Sequence, residues 1–274
     1  MKKKLFAIIG NPIAHSLSPV LHNYWFNKYN INADYSLLNI EEEDIKKVIQ
    51  RVKEKELSGI NITLPFKQKV IKFTNQLIND AKLTNSVNTI FLDSAENVIG
   101  ENTDVFGLQA AYLKRINNVE NKNALIIGAG GVSSSVVFSL QKSKIKSISI
   151  VNRTHDKSIF LKKNFNFLNI LEWKMLEQDI SKFDIIINAT SLGLKNGDDF
   201  NFNFEKMRKN SIYIDTIYNP IETKTIKYLK EKKITTFNGL EMFIYQGQKS
   251  FYLWNKINPE IDDKLIDLLI SKLK

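Results

Sequence analysis

The sequence predicts an α/β protein of two lobes, and three observations carry that reading. The chain has 274 residues, long for one core and comfortable for two domains of ordinary size. Short apolar runs alternate with amphipathic stretches, break off in a polar segment over 117–122, and then begin again. The renewed pattern opens with an apolar strand that runs directly into Gly128-Ala129-Gly130-Gly131 and on into a helical run. A strand, a glycine-rich turn and a helix in that order open a Rossmann-like, doubly wound sheet. The expected organisation is an N-terminal α/β domain over 1–103, a Rossmann-like domain over 104–238, and C-terminal helices over 239–274 that pack back on the first domain.

The elements follow in order. The run over 4–9 is a strand entering a core, and Pro12 stops it. The same opening imitates a secretory signal, but its apolar stretch is too short and has no small-residue cleavage site. Ser18-Pro19 reads as an N-cap with proline at the first position of a helix over 19–29. Strands over 35–40, 59–63 and 88–92 then alternate with helices over 42–53 and 66–73, and an amphipathic run covers 106–116. The second lobe has strands over 124–128, 147–151, 184–188 and 211–216, a short one over 234–237, and a helical run over 136–141. Unbroken apolar strands separated by helices favour a parallel sheet buried on both faces. Helices over 240–254 and 262–273 close the chain.

Composition narrows the function classes. No segment approaches the roughly 20 apolar residues that span a bilayer, and zero cysteines exclude disulfides and thiolate zinc sites. A cytoplasmic protein without a membrane partner or a metal is expected. The formal charge of +10 is spread as lysines over amphipathic helices instead of forming one basic run. Solvated helix faces account for it, nucleic acid is not expected as a partner, and the surplus helps to steer anionic ligands.

Three stretches carry chemistry. The loop from Gly10 to Pro19 ends at a helix start without a capping-box acid, so first-turn amides and the hydroxyls of Ser16 and Ser18 are available to a carboxylate or phosphate. A capped helix that binds nothing is the plain alternative. The glycine turn suits a dinucleotide, with Ser133 where the fingerprint asks for a third small residue. After the next strand, Asn152-Arg153-Thr154 lacks the acid that accepts from an NAD ribose. Arg153 matches a 2′-phosphate, Thr154 adds a hydroxyl and Lys157 a second positive charge, so NADP is preferred over NAD. The alternative is Asp156 on the ribose. In the third stretch Asn61 and Thr63 lie two residues apart on one side of a strand, and Lys67 follows in the first turn after Pro65. The positive end of that helix opposes the charge on Lys67, which suits a proton-transfer lysine. Asn102-Thr103-Asp104 supplies an acid to pair with it, and Asn88 an amide for a hydroxyl-rich ligand. A solvated lysine and a simple N-cap are the bland readings of the same residues.

Over nearly its whole length the chain resembles the shikimate dehydrogenase family. The likeness rests on Ser16-Leu17-Ser18-Pro19 with His22-Asn23, Asn61 to Lys67, Val87-Asn88-Thr89, Asn102-Thr103-Asp104 and Gly128 to Gly131. It continues through Asn152-Arg153-Thr154, Asn188 to Ser191, Asp215 to Pro220, and Met242 with Gln246. The resemblance implies reversible, NADP-dependent reduction of 3-dehydroshikimate to shikimate, on the route to chorismate and the aromatic amino acids. It makes 1–103 the substrate-binding and catalytic domain and 104–238 the NADP-binding one, in a monomer or homodimer acting on a small molecule. Lys67 and Asp104 would handle the proton, and Ser16 and Ser18 would hold the substrate carboxylate. Asn61, Thr63, Asn88, Asp104 and Gln246 would bind ring hydroxyls, with Tyr218 approaching the ring. Gly128, Ala129, Gly130, Gly131, Asn152, Arg153, Thr154 and Lys157 would bind the cofactor, whose nicotinamide half Thr190, Ser191 and Met242 would line. Val105 stands where the family usually has glycine, Lys157 where it often has arginine, and Thr84-Asn85-Ser86 is a more polar lead-in than usual. A quinate/shikimate dehydrogenase of relaxed substrate and cofactor choice and a non-catalytic shikimate-binding sensor are the alternatives.

Overall fold

In the computed structural model, which describes residues 2–195 and 197–273, the chain forms two six-stranded sheets, one in each of two units. Along the first unit run β1 (Lys4–Gly10), α1 (Ser18–Lys28), β2 (Ala33–Asn39), α2 (Ile45–Lys53), β3 (Gly59–Ile62) and β4 (Gln76–Leu77). There follow α3 (Asn79–Thr84), β5 (Thr89–Leu92), β6 (Val98–Glu101) and the start of α4 (Asp104–Ala111). The second unit holds β7 (Asn123–Ile127), α5 (Ser133–Lys142), β8 (Ser147–Val151), α6 (His155–Asn164), β9 (Asn169–Ile170) and α7 (Leu176–Asp179). Then come β10 (Ile185–Asn188), β11 (Ile212–Asp215), α8 (Lys224–Glu231) and β12 (Thr235–Phe237), and the chain ends in α9 (Leu240–Asn255) and α10 (Asp263–Ser271). The units change over between Gly107 and Leu108 and between Phe243 and Ile244, within α4 and α9. The sequence boundaries after 103 and 238 fall a few residues ahead of both. Residues 244–272 belong with the N-terminal unit.

The first sheet, ordered β2-β1-β3-β5-β6-β4, is mixed. β1 is parallel to β2 and β3, but β5 runs antiparallel to both β3 and β6. β6 has no counterpart among the expected strands, because Val98-Ile99-Gly100-Glu101 is too short to show a period and contains glycine. Packed on this sheet, α2 buries Ile45, Val48, Ile49 and Val52, the three-and-four spacing of one helix face. The acidic residues Glu42–Asp44 ahead of it, expected to be helical, form a 3-10 turn, since they offer no apolar face.

A second layer of this unit is aromatic. His22 of α1 stacks on Tyr35 of β2 with centroids 4.4 Å apart and planes 9° from parallel, and Trp25, Phe251 and Trp254 surround it. Gly247 lets α9 approach α1, since a Cβ there would stand 2.4 Å from Leu21 Cδ2. The C-terminal segment is tied to α1 as well, through Trp25 Nε1 donating to Glu260 O at 2.9 Å and Tyr24 donating to Asp262 at 2.8 Å. Both imidazole nitrogens of His22 are buried without a hydrogen-bond partner, and burial holds its pKa down at about 3 from the ordinary 6.5. The folded protein therefore keeps His22 neutral, while the unfolded chain binds a proton below pH 6.5, so stability falls as pH drops through that window. At 1.36 kcal/mol per unit, the protein should lose about 2 kcal/mol between pH 6.5 and 5 that a His22→Phe variant retains. Urea unfolding at pH 7 and 5 checks this, and parallel pH responses of the two proteins would remove His22 as the cause.

The second sheet is wholly parallel, in the order β12-β11-β10-β7-β8-β9. Its central strands are buried end to end, as in Leu125-Ile126-Ile127 and Ile185-Ile186-Ile187, which is the doubly wound pattern. The chain order reverses between β7 and β10, and at such a switch point the turns beyond the strands part to leave a crevice. The glycine turn after β7 and Thr190-Ser191 after β10 flank it.

Candidate active site

The first constellation grows from the ends of β3, β5 and β6. Beyond β3 the chain turns through Thr63 and a cis Leu64-Pro65 peptide, with Phe66 buried as an anchor. The helix expected over 66–73 is a 3-10 helix over Lys69–Phe73, and Lys67 lies in the turn before it. The helix-dipole argument for Lys67 has no α-helix to rest on; a carboxylate provides its setting instead. Lys67 Nζ donates to Asp104 Oδ2 at 2.5 Å, with the two side chains only 11% and 8% exposed. The backbone is pinned there too, since Val87 N–H donates to Lys67 O at 2.8 Å just before Asn88.

Asn88 orients the carboxylate. The Thr103 N–H donates to Asn88 Oδ1 at 2.8 Å, which fixes which end of the amide is oxygen. Asn88 Nδ2 then donates to Asp104 Oδ1 at 2.9 Å and to Thr103 Oγ1 at 2.9 Å, with Gln246 Oε1 at 3.4 Å. Asp104 begins α4, its N–H donating to Asn102 Oδ1 at 3.1 Å, so the triplet serves both as a helix start and as the holder of the acid. The branched Val105 that follows is buried in the core.

Asn61 has a less direct position than expected. Its Oδ1 accepts from Tyr35 OH at 2.7 Å, and its Nδ2 meets Asn88 O, Thr89 Oγ1 and Ser250 Oγ, each at 3.0 Å. Burial pushes the Tyr35 phenol well above its usual range and keeps it a donor, while Ser18 hydrogen-bonds it from the other side. Thr63 is half-buried just past β3. Ser250, one turn beyond Gln246 on α9, is a functional candidate that nothing in the sequence sets apart from other serines of an amphipathic run.

Ser16 and Ser18 come together, Ser16 Oγ donating to Ser18 Oγ at 3.1 Å. Ser18 is not the N-cap. Leu17 holds that position and α1 starts at Ser18, whose N–H donates to Ser16 Oγ at 3.3 Å, with no bond from a cap side chain.

In the second unit, Gly128 has φ +110°, and a Cβ there would stand 2.6 Å from Thr190 Cγ2 and 2.9 Å from the Ala189 carbonyl. At Gly130 a Cβ would come no nearer than 3.7 Å to any neighbour, so this face of the turn is open. The turn is a cradle that a phosphate chain fits. Ser133, the departure from the fingerprint, stabilises it: its Oγ donates to Gly128 O at 3.0 Å and accepts from Gly130 N–H at 2.8 Å. Asn152 Oδ1 accepts from Ala129 N–H at 3.0 Å, and its Nδ2 donates to Thr154 O at 2.8 Å, tying the two turns together. Arg153, Thr154 and Lys157 are exposed at the end of β8 and the start of α6. Beyond β10, Asn188 Oδ1 accepts from Thr190 N–H and Oγ1 at 2.9 and 2.7 Å, and Ser191 is exposed. Asn188 is itself held by Asp215, whose carboxyl is pushed up to about 6 by burial. Tyr218 stacks on Phe243 with centroids 4.7 Å apart, and Met242 is buried beside it in sequence. No helix among the described residues is long and apolar enough to cross a membrane.

A dinucleotide-type turn in one unit and a buried lysine–carboxylate pair among amides and hydroxyls in the other define a two-domain oxidoreductase. Residues 8–90 match the model of the shikimate dehydrogenase substrate binding domain, and residues 111–237 match that of shikimate / quinate 5-dehydrogenase. The shikimate dehydrogenase (NADP(+)) of Pelagibacter ubique is 46% identical over 267 residues, 97% of this chain and 99% of that one. A crystal structure of shikimate dehydrogenase in complex with NADP+ superposes with a TM-score of 0.91 at 34% identity, covering 99% of this chain and 96% of that one. The Thermus thermophilus shikimate 5-dehydrogenase in complex with NADP(H) and shikimate gives 0.87 at 26% identity, covering 98% of this chain and all of the other. The chain belongs to the shikimate dehydrogenase family.

Proposed function

We propose that the protein catalyses the reversible, NADP-dependent reduction of 3-dehydroshikimate to shikimate in the cytoplasm, a step toward chorismate and the aromatic amino acids. The observation that carries the reading is the buried Lys67–Asp104 pair beside Asn88 in a chain matched by both family models. Bound NADPH supplies the hydride. As the carbonyl carbon is reduced, its oxygen gains charge, and Lys67 Nζ delivers the proton it needs; in oxidation Lys67 takes the proton back. Asp104 holds the lysine through Oδ2 while Asn88 fixes its Oδ1. Ser16 and Ser18 hold the substrate carboxylate, and Thr63, Asn88, Asp104 and Gln246 receive ring hydroxyls. Tyr218 approaches the ring. Asn61, whose amide already serves Tyr35, Asn88, Thr89 and Ser250, acts through Asn88.

For the cofactor, Gly128, Ala129, Gly130 and Gly131 cradle the pyrophosphate, and Arg153, Thr154 and Lys157 meet the 2′-phosphate. Asn152 takes the Ala129 N–H and so fixes the shape of the turn, and Thr190, Ser191 and Met242 line the nicotinamide half. The N-terminal unit is thus the substrate domain and the second unit the NADP domain. Every group comes from a single chain, which suits a monomer or a homodimer. The test is a steady-state comparison of shikimate and quinate, each with NADP and NAD, followed by absorbance of the reduced nicotinamide. Strong preference for shikimate with NADP is expected. Comparable turnover of quinate would make this a quinate/shikimate dehydrogenase, and bound shikimate without turnover in any combination would make it a sensor.

A further inference from the structure

We infer that Ser250, which lies outside every motif of the site, is a positioning residue for the Lys67–Asp104 pair; the inference rests on the reading of that pair given above. Ser250 is fully buried on α9, and its Oγ donates to Gln246 O one turn back at 3.1 Å. With its one hydrogen committed there, the oxygen meets its other neighbours as an acceptor. They are Asn61 Nδ2 at 3.0 Å, Thr89 Oγ1 at 2.8 Å and Thr103 Oγ1 at 3.1 Å. These residues come from β3, β5 and the turn ahead of α4, and each also touches Asn88. Asn61 donates to its carbonyl at 3.0 Å, while the Thr89 and Thr103 hydroxyls reach its Oδ1 at 3.0 and 3.1 Å.

Ser250 is therefore one hydrogen bond from Asn61, Thr89 and Thr103, three side chains that touch Asn88, and Asn88 fixes Asp104. Without this acceptor the two Asn61 amide protons still have Asn88 O and Thr89 Oγ1, but one threonine hydroxyl has a proton to place elsewhere. Asn88 Oδ1 is the nearest remaining acceptor, already engaged by the Thr103 N–H at 2.8 Å. Crowding a further donor onto that oxygen turns the Asn88 amide, and the carboxylate that holds Lys67 turns with it. The network also reaches the Gln246 carbonyl directly and Ser18 through Tyr35, and Asn88 and Asp104 receive ring hydroxyls as well, so ground-state binding weakens somewhat while the proton step loses more.

The experiment is Ser250→Ala in the full chain, with shikimate and NADP. A fall in kcat of about tenfold is expected with a smaller rise in KM for shikimate, together with a larger solvent deuterium isotope effect on kcat, because the slowed step moves a proton. Leu269→Ala, a cavity in the α10 core away from the network, is the stability control and should leave kcat unchanged. A kcat within twofold for Ser250→Ala, or an equal fall in the control, would overturn the inference. Should Ser250→Ala fail to fold, Ser250→Cys, with the same number of heavy atoms and a weaker acceptor, is read by the same split. Lys67→Ala is run alongside. Its retaining turnover would overturn the reading of the pair, whereas its inactivity beside a normal Ser250→Ala would overturn the role of Ser250 alone.

Discussion

Lys67→Ala should lower kcat by about 10²- to 10⁴-fold in both directions, the usual worth of a positioned proton donor and acceptor. The binding of shikimate, measured by calorimetry on the same variant, should change far less. This division follows from the geometry. The ammonium is held by Asp104 at 2.5 Å in a setting where neither side chain is more than 11% exposed, so little water stands in for the lost group. The charge it answers exists only while the carbonyl carbon is changing its bonding, and an interaction made at that stage appears in kcat instead of KM. Steady-state kinetics at saturating shikimate and NADP checks the point. Near-normal turnover would remove Lys67 from the proton step and leave Asp104 only a ring hydroxyl to bind.

The second sheet was legible in the sequence almost strand for strand, because its central strands are apolar runs and the glycine turn marks where the first one ends. The first sheet was less so. Val98–Glu101 and Gln76–Leu77 are too short for any period to be read, and with them went the mixed character of that sheet. The helix α5 begins at Ser133, three residues before its expected start, because three successive serines look like loop yet are buried, with Ser133 bonded into the glycine turn. The same physics governs the site. Lys67, Asp104 and Asn88 stand in short dense motifs and could be picked out by residue type. Ser250 and Tyr35 could not, since a serine and a tyrosine in amphipathic runs look like any others until tertiary packing sets them against Asn61. Lys67 owes its setting to Asp104 and not to a helix dipole, as the turn at Leu64-Pro65 leads into a 3-10 helix.

Arg153→Ser should raise KM for NADP by about 10- to 100-fold while leaving NAD-supported turnover nearly unchanged. The estimate takes the net worth of a charge-assisted hydrogen bond, about 1.5 to 3 kcal/mol, at 1.4 kcal/mol per tenfold. Lys157, exposed on the first turns of α6, retains part of the attraction and sets the lower end of that range. The effect belongs in KM because a 2′-phosphate keeps its charge throughout the reaction, so Arg153 stabilises ground state and transition state alike. Asp156 sharpens the comparison. It too is exposed in the first turn of α6, and its carboxylate would repel the phosphate while accepting from a ribose hydroxyl. Steady-state titrations of NADP and NAD against Arg153→Ser and Asp156→Asn therefore separate two sources of selectivity. If the arginine carries it, only the first substitution narrows the gap between the cofactors, by weakening NADP. If Asp156 instead holds the ribose, its loss weakens NAD, and the Arg153 assignment fails should its own substitution leave the NADP titration where it was.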